Sequence, residues 1–230
     1  MKRTVVLAIS VMMAWVTVSA QSAIELAKKQ KELNEINMKM LNAKPSKDAK
    51  KQAKALKKEG WVPVGSNKAI EKQITEDQLL SEVLMIDESG NPTRRYIQHS
   101  ATAVAGTQNA AYAAARAACQ TEIAAILATK VAGAMQQKID NQQSSAISAT
   151  TIDKFHERTK SIIDACLTHM VPGMNIYRVL ANNNYESQVT ISYDKMELIN
   201  RLKRYMQQYL EMEGDEELND IVDQVLSQDI

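Results

Sequence analysis

Aromatic residues make up only 4% of this 230-residue chain. A platform for single-stranded nucleic acid needs stacking rings on a basic surface. Few rings are present, so nucleic acid is not an expected partner. The net charge is +1 with 24% charged residues, so the molecule as a whole is not an obvious polyanion binder. His99, His156 and His169 are scattered, with no HExxH and no pair at metal-ligand spacing. GxSxG, GxGxxG and P-loop motifs are absent. The acids fall mostly on expected exposed helix faces, and none is visibly paired in an apolar pocket as acid–base chemistry requires. No catalytic residue, cofactor or metal is therefore assigned, and the expectation is a protein that is not an enzyme. A hydrolase with dispersed catalytic residues is the remaining enzymatic reading.

Long hydrophobic runs are lacking too. The one apolar stretch spans about Val5 to Val16, short of the roughly 20 residues a membrane span needs. It follows Lys2-Arg3 and precedes Val18-Ser19-Ala20. That order predicts a secretory signal peptide over residues 1–20, cleaved after Ala20. No cysteine lies beside that cut to carry a lipid. The expected location is outside the cytoplasm, periplasmic or associated with an outer membrane.

What is present is helix-forming sequence. SAIELAKKQKELNEINMKMLNA, residues 22–43, places Leu26, Leu33 and Met40 seven apart with Ile36 alongside. A short coiled coil and a helix packed on its own domain both fit. Ser46 caps a second helix that ends at Gly60. Lys47, Lys50, Lys51, Lys54 and Lys58 share one face of it, opposite Ala49, Ala53 and Leu56. This is a candidate face for weak contact with anionic lipid or an acidic partner; a solvated face is the plainer reading. A third helix starts at Ser66 or Asn67 and runs to about Met85, where DESGNP turns the chain. Alternation predicts a strand over about 94–104.

GTQNAAYAAARAACQTEIAAI, residues 106–126, then opens a long helix capped by Thr107. Ala115, Cys119, Ile123, Leu127, Val131 and Met135 recur every four residues and share one face. Alanine forms helix at no cost in side-chain entropy and lets another backbone come close. Arg116, alone among these alanines, either binds an anion in a groove, pairs with an acid or stands solvated. A further helix over about 151–170 carries Ile152, Phe155, Thr159, Ile162, Ile163, Cys166 and Met170, and Pro172-Gly173 stops it. Alternation on both sides of Asn182-Asn183-Asn184 predicts a hairpin near 174–193. Helical sequence resumes at Lys195, breaks at Gly214 and ends in an acidic tail.

Two cysteines remain. Cys119 lies about 26 residues before a turn placed near 145 and Cys166 about 21 after it. At about 1.5 Å per residue, antiparallel helices would set them at one height. A disulfide between them would close a long loop and contribute about 4 kcal/mol. Two buried free thiols are the alternative. A Cys166–His169 dyad is a third, with packing the plainer reading.

The order strand, alanine-rich helix, helix and hairpin resembles a family of small outer-membrane lipoproteins that includes flagellar outer-membrane assembly proteins. ATAVAGTQNAAYAAARAACQTEIAAIL and YESQVTISYD carry the likeness, over about 94–194. The resemblance implies an α+β domain that assembles in the cell envelope and implies no catalytic residue. The chain departs from the family in lacking a lipid-attachment cysteine and in its added helices at both ends.

The expected fold is therefore α+β: a small antiparallel sheet packed against the alanine-rich helix and a second helix, with helical extensions. The expected division is signal peptide 1–20, helical segment 21–93, α+β domain 94–194 and acidic helical segment 195–230. The leading functional expectation is an exported, non-enzymatic envelope protein that self-associates or binds another envelope component. The alternative is a monomeric periplasmic binding module with a groove for a peptide or small ligand.

Overall fold

The computed structural model describes residues 24–42, 44–65, 68–87, 90–142, 161–163 and 165–213. In chain order the elements are α1 (residues 24–41), α2 (Lys47–Lys58), β1 (Val62–Pro63), α3 (Ile70–Glu82), β2 (Leu84–Ile86), β3 (Pro92–Arg94), β4 (Tyr96–Ala105), α4 (Gln108–Gln142), α5 (residues 161–163 and 165–166), β5 (Val171–Val179), β6 (Tyr185–Asp194) and α6 (Lys195–Glu213). The signal peptide, the turn near 145, His156 and the break and acidic tail from Gly214 lie outside the described residues. So do Ile152, Phe155 and Thr159 of the expected inward stripe.

The chain is α+β and divides into two compact units. One holds α1 with the short β2–β3 pair. Here α1 uses amides where a coiled-coil seam would use apolar side chains. Asn37 donates from Nδ2 to the Leu84 carbonyl at 2.7 Å and accepts from the Leu84 N–H at 3.4 Å. Gln30 Oε1 accepts from the Ile86 N–H at 2.8 Å. The two amides thus bond the backbone of β2 much as a neighbouring strand would. Leu26, Leu33 and Met40 are half-buried on the same side, whereas Ile36 is 60% exposed. The expectation that Ile36 joins that stripe is corrected: Asn37 takes the inward position.

The other unit spans Lys44–Val83 and Arg94–Ile230. Its antiparallel sheet has the order β1-β5-β6-β4. Strand parity gives the sheet two faces. Ile97, Ala101, Ala103, Val189, Ile191 and Tyr193 face one core with α4, α5 and α6. Met174 and Ile176 face a second core with Ala49, Ala53, Trp61, Ile70 and Ile74 from α2, α3 and the turn between them. The sequence boundary at residue 94 therefore cuts across this unit, because α2, β1 and α3 are built into its sheet and second core.

Local chemistry explains most element ends. Ser46 Oγ accepts from the Ala49 N–H at 3.0 Å and Thr107 Oγ1 from the Ala110 N–H at 3.2 Å, as N-caps do. At the end of α2, Gly60 (φ 88°) donates to the Lys57 carbonyl and Trp61 to the Leu56 carbonyl, the Schellman arrangement. The expected caps Ser66 and Asn67 lie outside the described residues, and α3 begins later, at Ile70 with Ala69 before it and no side-chain cap. It ends at Glu82, and Leu84–Ile86 forms a strand where helix was expected as far as Met85. Asn183 takes φ 61° in the β5–β6 turn, as an asparagine there permits. Asp194 Oδ1 accepts from the Met196 and Glu197 N–H groups and so caps α6.

One face of alanines on α4 lies against the sheet of its own unit. Ala111, Ala115 and Cys119 are fully buried as α4 crosses β4 and β6. Ile123, Leu127 and Val131 continue the stripe into the bulkier part of the core. Ala110, Ala113, Ala114, Ala117, Ala118 and Ala125 face outward. Among the described residues no helix is long and apolar enough to cross a membrane.

Candidate functional site

Between α2, α3 and the polar face of the sheet lies a cavity of about 460 Å³. Its construction starts with α3. Ile70, Gln73, Ile74, Asp77 and Ser81 follow helical spacing, so an acid falls on the inward stripe. On the sheet side, alternation brings Gln98 and Ser100 of β4 and Gln188 and Thr190 of β6 to this face. Ser100 and Thr190 sit opposite one another, with their hydroxyl oxygens 2.7 Å apart. Leu56, Ile74 and Met174 supply apolar wall.

Asp77 is held by the sheet. The register of β5 on β6 shifts between Pro172 and Asn175, a bulge that interrupts the ladder. Its backbone donors turn to α3. Met174 N–H reaches the two Asp77 carboxylate oxygens at 3.0 and 3.1 Å, and Asn175 N–H reaches Gln73 Oε1 at 2.8 Å. The bulged strand comes so close that a β-carbon on Gly173 would collide with Asp77 Oδ1 and stand 3.0 Å from the Thr190 carbonyl oxygen. Pro172-Gly173, read from sequence as a helix stop, is thus also part of a strand.

Burial pushes the Asp77 carboxyl above its ordinary value, while the bonds from Met174 and Thr190 pull it partly back. The cavity therefore combines one desolvated carboxyl with hydroxyls and amides. Amides both donate and accept, so the wall can meet a polar ligand of either hydrogen-bonding sense. Sequence reasoning missed this constellation. The available signal was Asp77 three residues after Ile74 and seven after Ile70, on an apolar stripe.

The residues singled out from sequence fall elsewhere. Lys47, Lys50, Lys51, Lys54 and Lys58 are all exposed on α2. Arg116 is half-buried on α4, near enough for its charge to act on Tyr193. His99 lies on β4 and is not brought to His169, which is exposed beyond α5. Among the described residues no group of three His, Cys, Asp or Glu side chains is placed to hold a metal.

Cys119 and Cys166 are buried in one core, and both are free thiols. The disulfide considered from helical height is not formed. Cys119 Sγ turns to the sheet and donates to the Val189 carbonyl at 3.4 Å. Burial pushes the Cys166 thiol up to about 11, against the lowering pull of Arg201 and Arg204. Cys166 and His169 do border one small recess. The thiol is nevertheless protonated at neutral pH, and His169 Nδ1 is engaged by Arg201 Nη1 at 2.6 Å. That arrangement does not activate a nucleophile.

Compared with known proteins, the chain matches no family model, no curated protein and no solved structure.

Proposed function

We propose that this chain is a non-enzymatic binding module that takes a short peptide in the cleft between α2, α3 and the sheet. The observation that carries this reading is the cavity of about 460 Å³ with Asp77 in its wall. Ligand sites commonly enclose about 300–1,000 Å³ and pair apolar lining with a few convergent polar groups. Gln52, Gln78, Gln98 and Gln188 offer donors and acceptors suited to peptide groups, and Asp77 suits a peptide's amino terminus. Export to the periplasm belongs to the same proposal and rests on residues 1–20.

The test is ligand-observed NMR of the mature chain with a panel of di- and tripeptides. Binding should weaken when the peptide amino terminus is acetylated. It should disappear in Ala55→Trp, which fills the cleft from an exposed position on α2. Absence of any peptide contact at millimolar concentration, or binding indifferent to Ala55→Trp, overturns the reading.

Self-association, as an envelope component of the kind the family resemblance implies, is the second reading. It is favoured by the outward alanines of α4, which permit close approach of another surface. Light scattering over a dilution series tests it: a multimer that persists at micromolar concentration supports assembly, and a clean monomer removes it.

A further inference from the structure

On the opposite face of the sheet, the turn after α5 and the outer side of α6 enclose a recess of about 330 Å³. We propose that this recess is an anion-binding site that takes a phosphate group. Thr168, His169, Arg201, Arg204, Tyr205 and Gln208 line it, and among the described residues no carboxylate does. All but the histidine ring are donors in every state, or can rotate to become donors.

The site is held in shape by its own hydrogen bonds. Leu198, Leu202 and Met206 bury the inner side of α6, which turns Arg201, Arg204 and Tyr205 outward around the recess. Arg201 Nη1 donates to His169 Nδ1 at 2.6 Å and to Thr168 Oγ1 at 3.3 Å. Thr168 Oγ1 stands 2.9 Å from the same ring nitrogen. With Nδ1 accepting, the ring proton sits on Nε2 and remains available as a donor. Glu197, one turn before Arg201, pairs with Arg201 Nη2. Arg201 is therefore a positioning residue whose charge is offset.

Further positive charge comes from Arg204, which is exposed and forms no ion pair among the described residues. A guanidinium beside hydroxyl, amide and imidazole donors is the chemistry that recognises a phosphate, since its planar fork meets two oxygens at once. The volume exceeds that of a bare phosphate, leaving room for a small organic part. A soluble phosphate ester and a lipid headgroup share this chemistry.

The experiment uses the mature full-length chain and follows the His169 ring resonances by NMR. Inorganic phosphate is titrated at constant ionic strength against chloride, and phosphatidylglycerol vesicles are compared with phosphatidylcholine vesicles by co-sedimentation. Arg204→Gln removes its charge from an exposed position. Lys72→Gln, exposed on α3 at the other face of the sheet, removes one charge elsewhere. Saturable shifts with phosphate, weakened at least tenfold by Arg204→Gln and unchanged by Lys72→Gln, assign the site to soluble phosphates. Vesicle binding with the same variant pattern but without saturation by free phosphate assigns it to headgroups. Failure of both probes, or equal loss in the two variants, overturns the site. None of these outcomes bears on the peptide cleft, which lies across the sheet.

Discussion

The Asp77 carboxylate occupies the place where a β-carbon of residue 173 would stand. Helix α3 and the bulged start of β5 can approach this closely only because residue 173 is glycine. The contact lets Met174 N–H bond the carboxylate, and so sets both the wall of the cleft and the state of its acid. Gly173→Ala should cost about 1–3 kcal/mol, the usual range for overpacking. In an Asp77→Ala background the same change should cost less, since one of the two obstructing groups is gone. A double-mutant cycle in urea reads the difference; equal costs in both backgrounds would show that the two residues do not meet.

The acid itself predicts a pH dependence. Burial raises Asp77 above 3.8 in the folded chain, so the folded state holds that proton more tightly than the unfolded one. Asp77 therefore favours the folded state increasingly as pH falls through its folded value towards 3.8, and that gain is lost as pH rises. Asp77→Asn lacks this titration. Its stability relative to wild type should be greatest near neutrality and should decline as the pH approaches 4. A difference that stays constant over that range would contradict the burial of an ionisable Asp77.

The core under α4 should be sensitive in both directions. Leu127 is 1% exposed and Ala115 is fully buried against the sheet. Leu127→Ala should cost about 2–5 kcal/mol through lost burial and a cavity. Ala115→Met should cost about 1–3 kcal/mol through overpacking, whereas Ala114→Met, facing outward on the same helix, should change stability by less than about 0.5 kcal/mol. Chemical denaturation of the three variants is the measurement.

Thiol chemistry separates a bonded from an unbonded core. Cys119 and Cys166 are buried and free, so a thiol reagent should find nothing in the folded chain and two thiols per chain after unfolding without reductant. Fast native-state reaction of Cys166 would contradict a thiol pushed up to about 11. Absence of thiols after unfolding would show that the two had paired.

Patterns that repeat along the chain were legible from the residues alone. The four-residue stripe of α4 and the alternation of β4 and β6 each report a face, because helix and strand periods are local properties of the backbone. The caps Ser46 and Thr107 and the turn at Asn183 were legible for the same reason: each depends on neighbours a few residues away. Those signals sufficed for an α+β fold with a hairpin and an alanine-rich helix.

The tertiary structure alone decided what each face meets. The lysine helix α2 could not be seen as one side of a cleft, because its thin apolar strip of Ala49 and Ala53 says only that something covers it. Asp77 and Met174 are separated by 97 positions, and nothing local marks an acid whose partner is the N–H of a distant bulge. His169 and Arg201 are likewise 32 residues apart, and the recess they share exists only once α6 has folded back beside the turn after α5. Sequence by itself determined the periodic surfaces, since these follow from backbone geometry. Folding determined the two candidate sites, since a cavity is a property of surfaces brought together from separate parts of the chain.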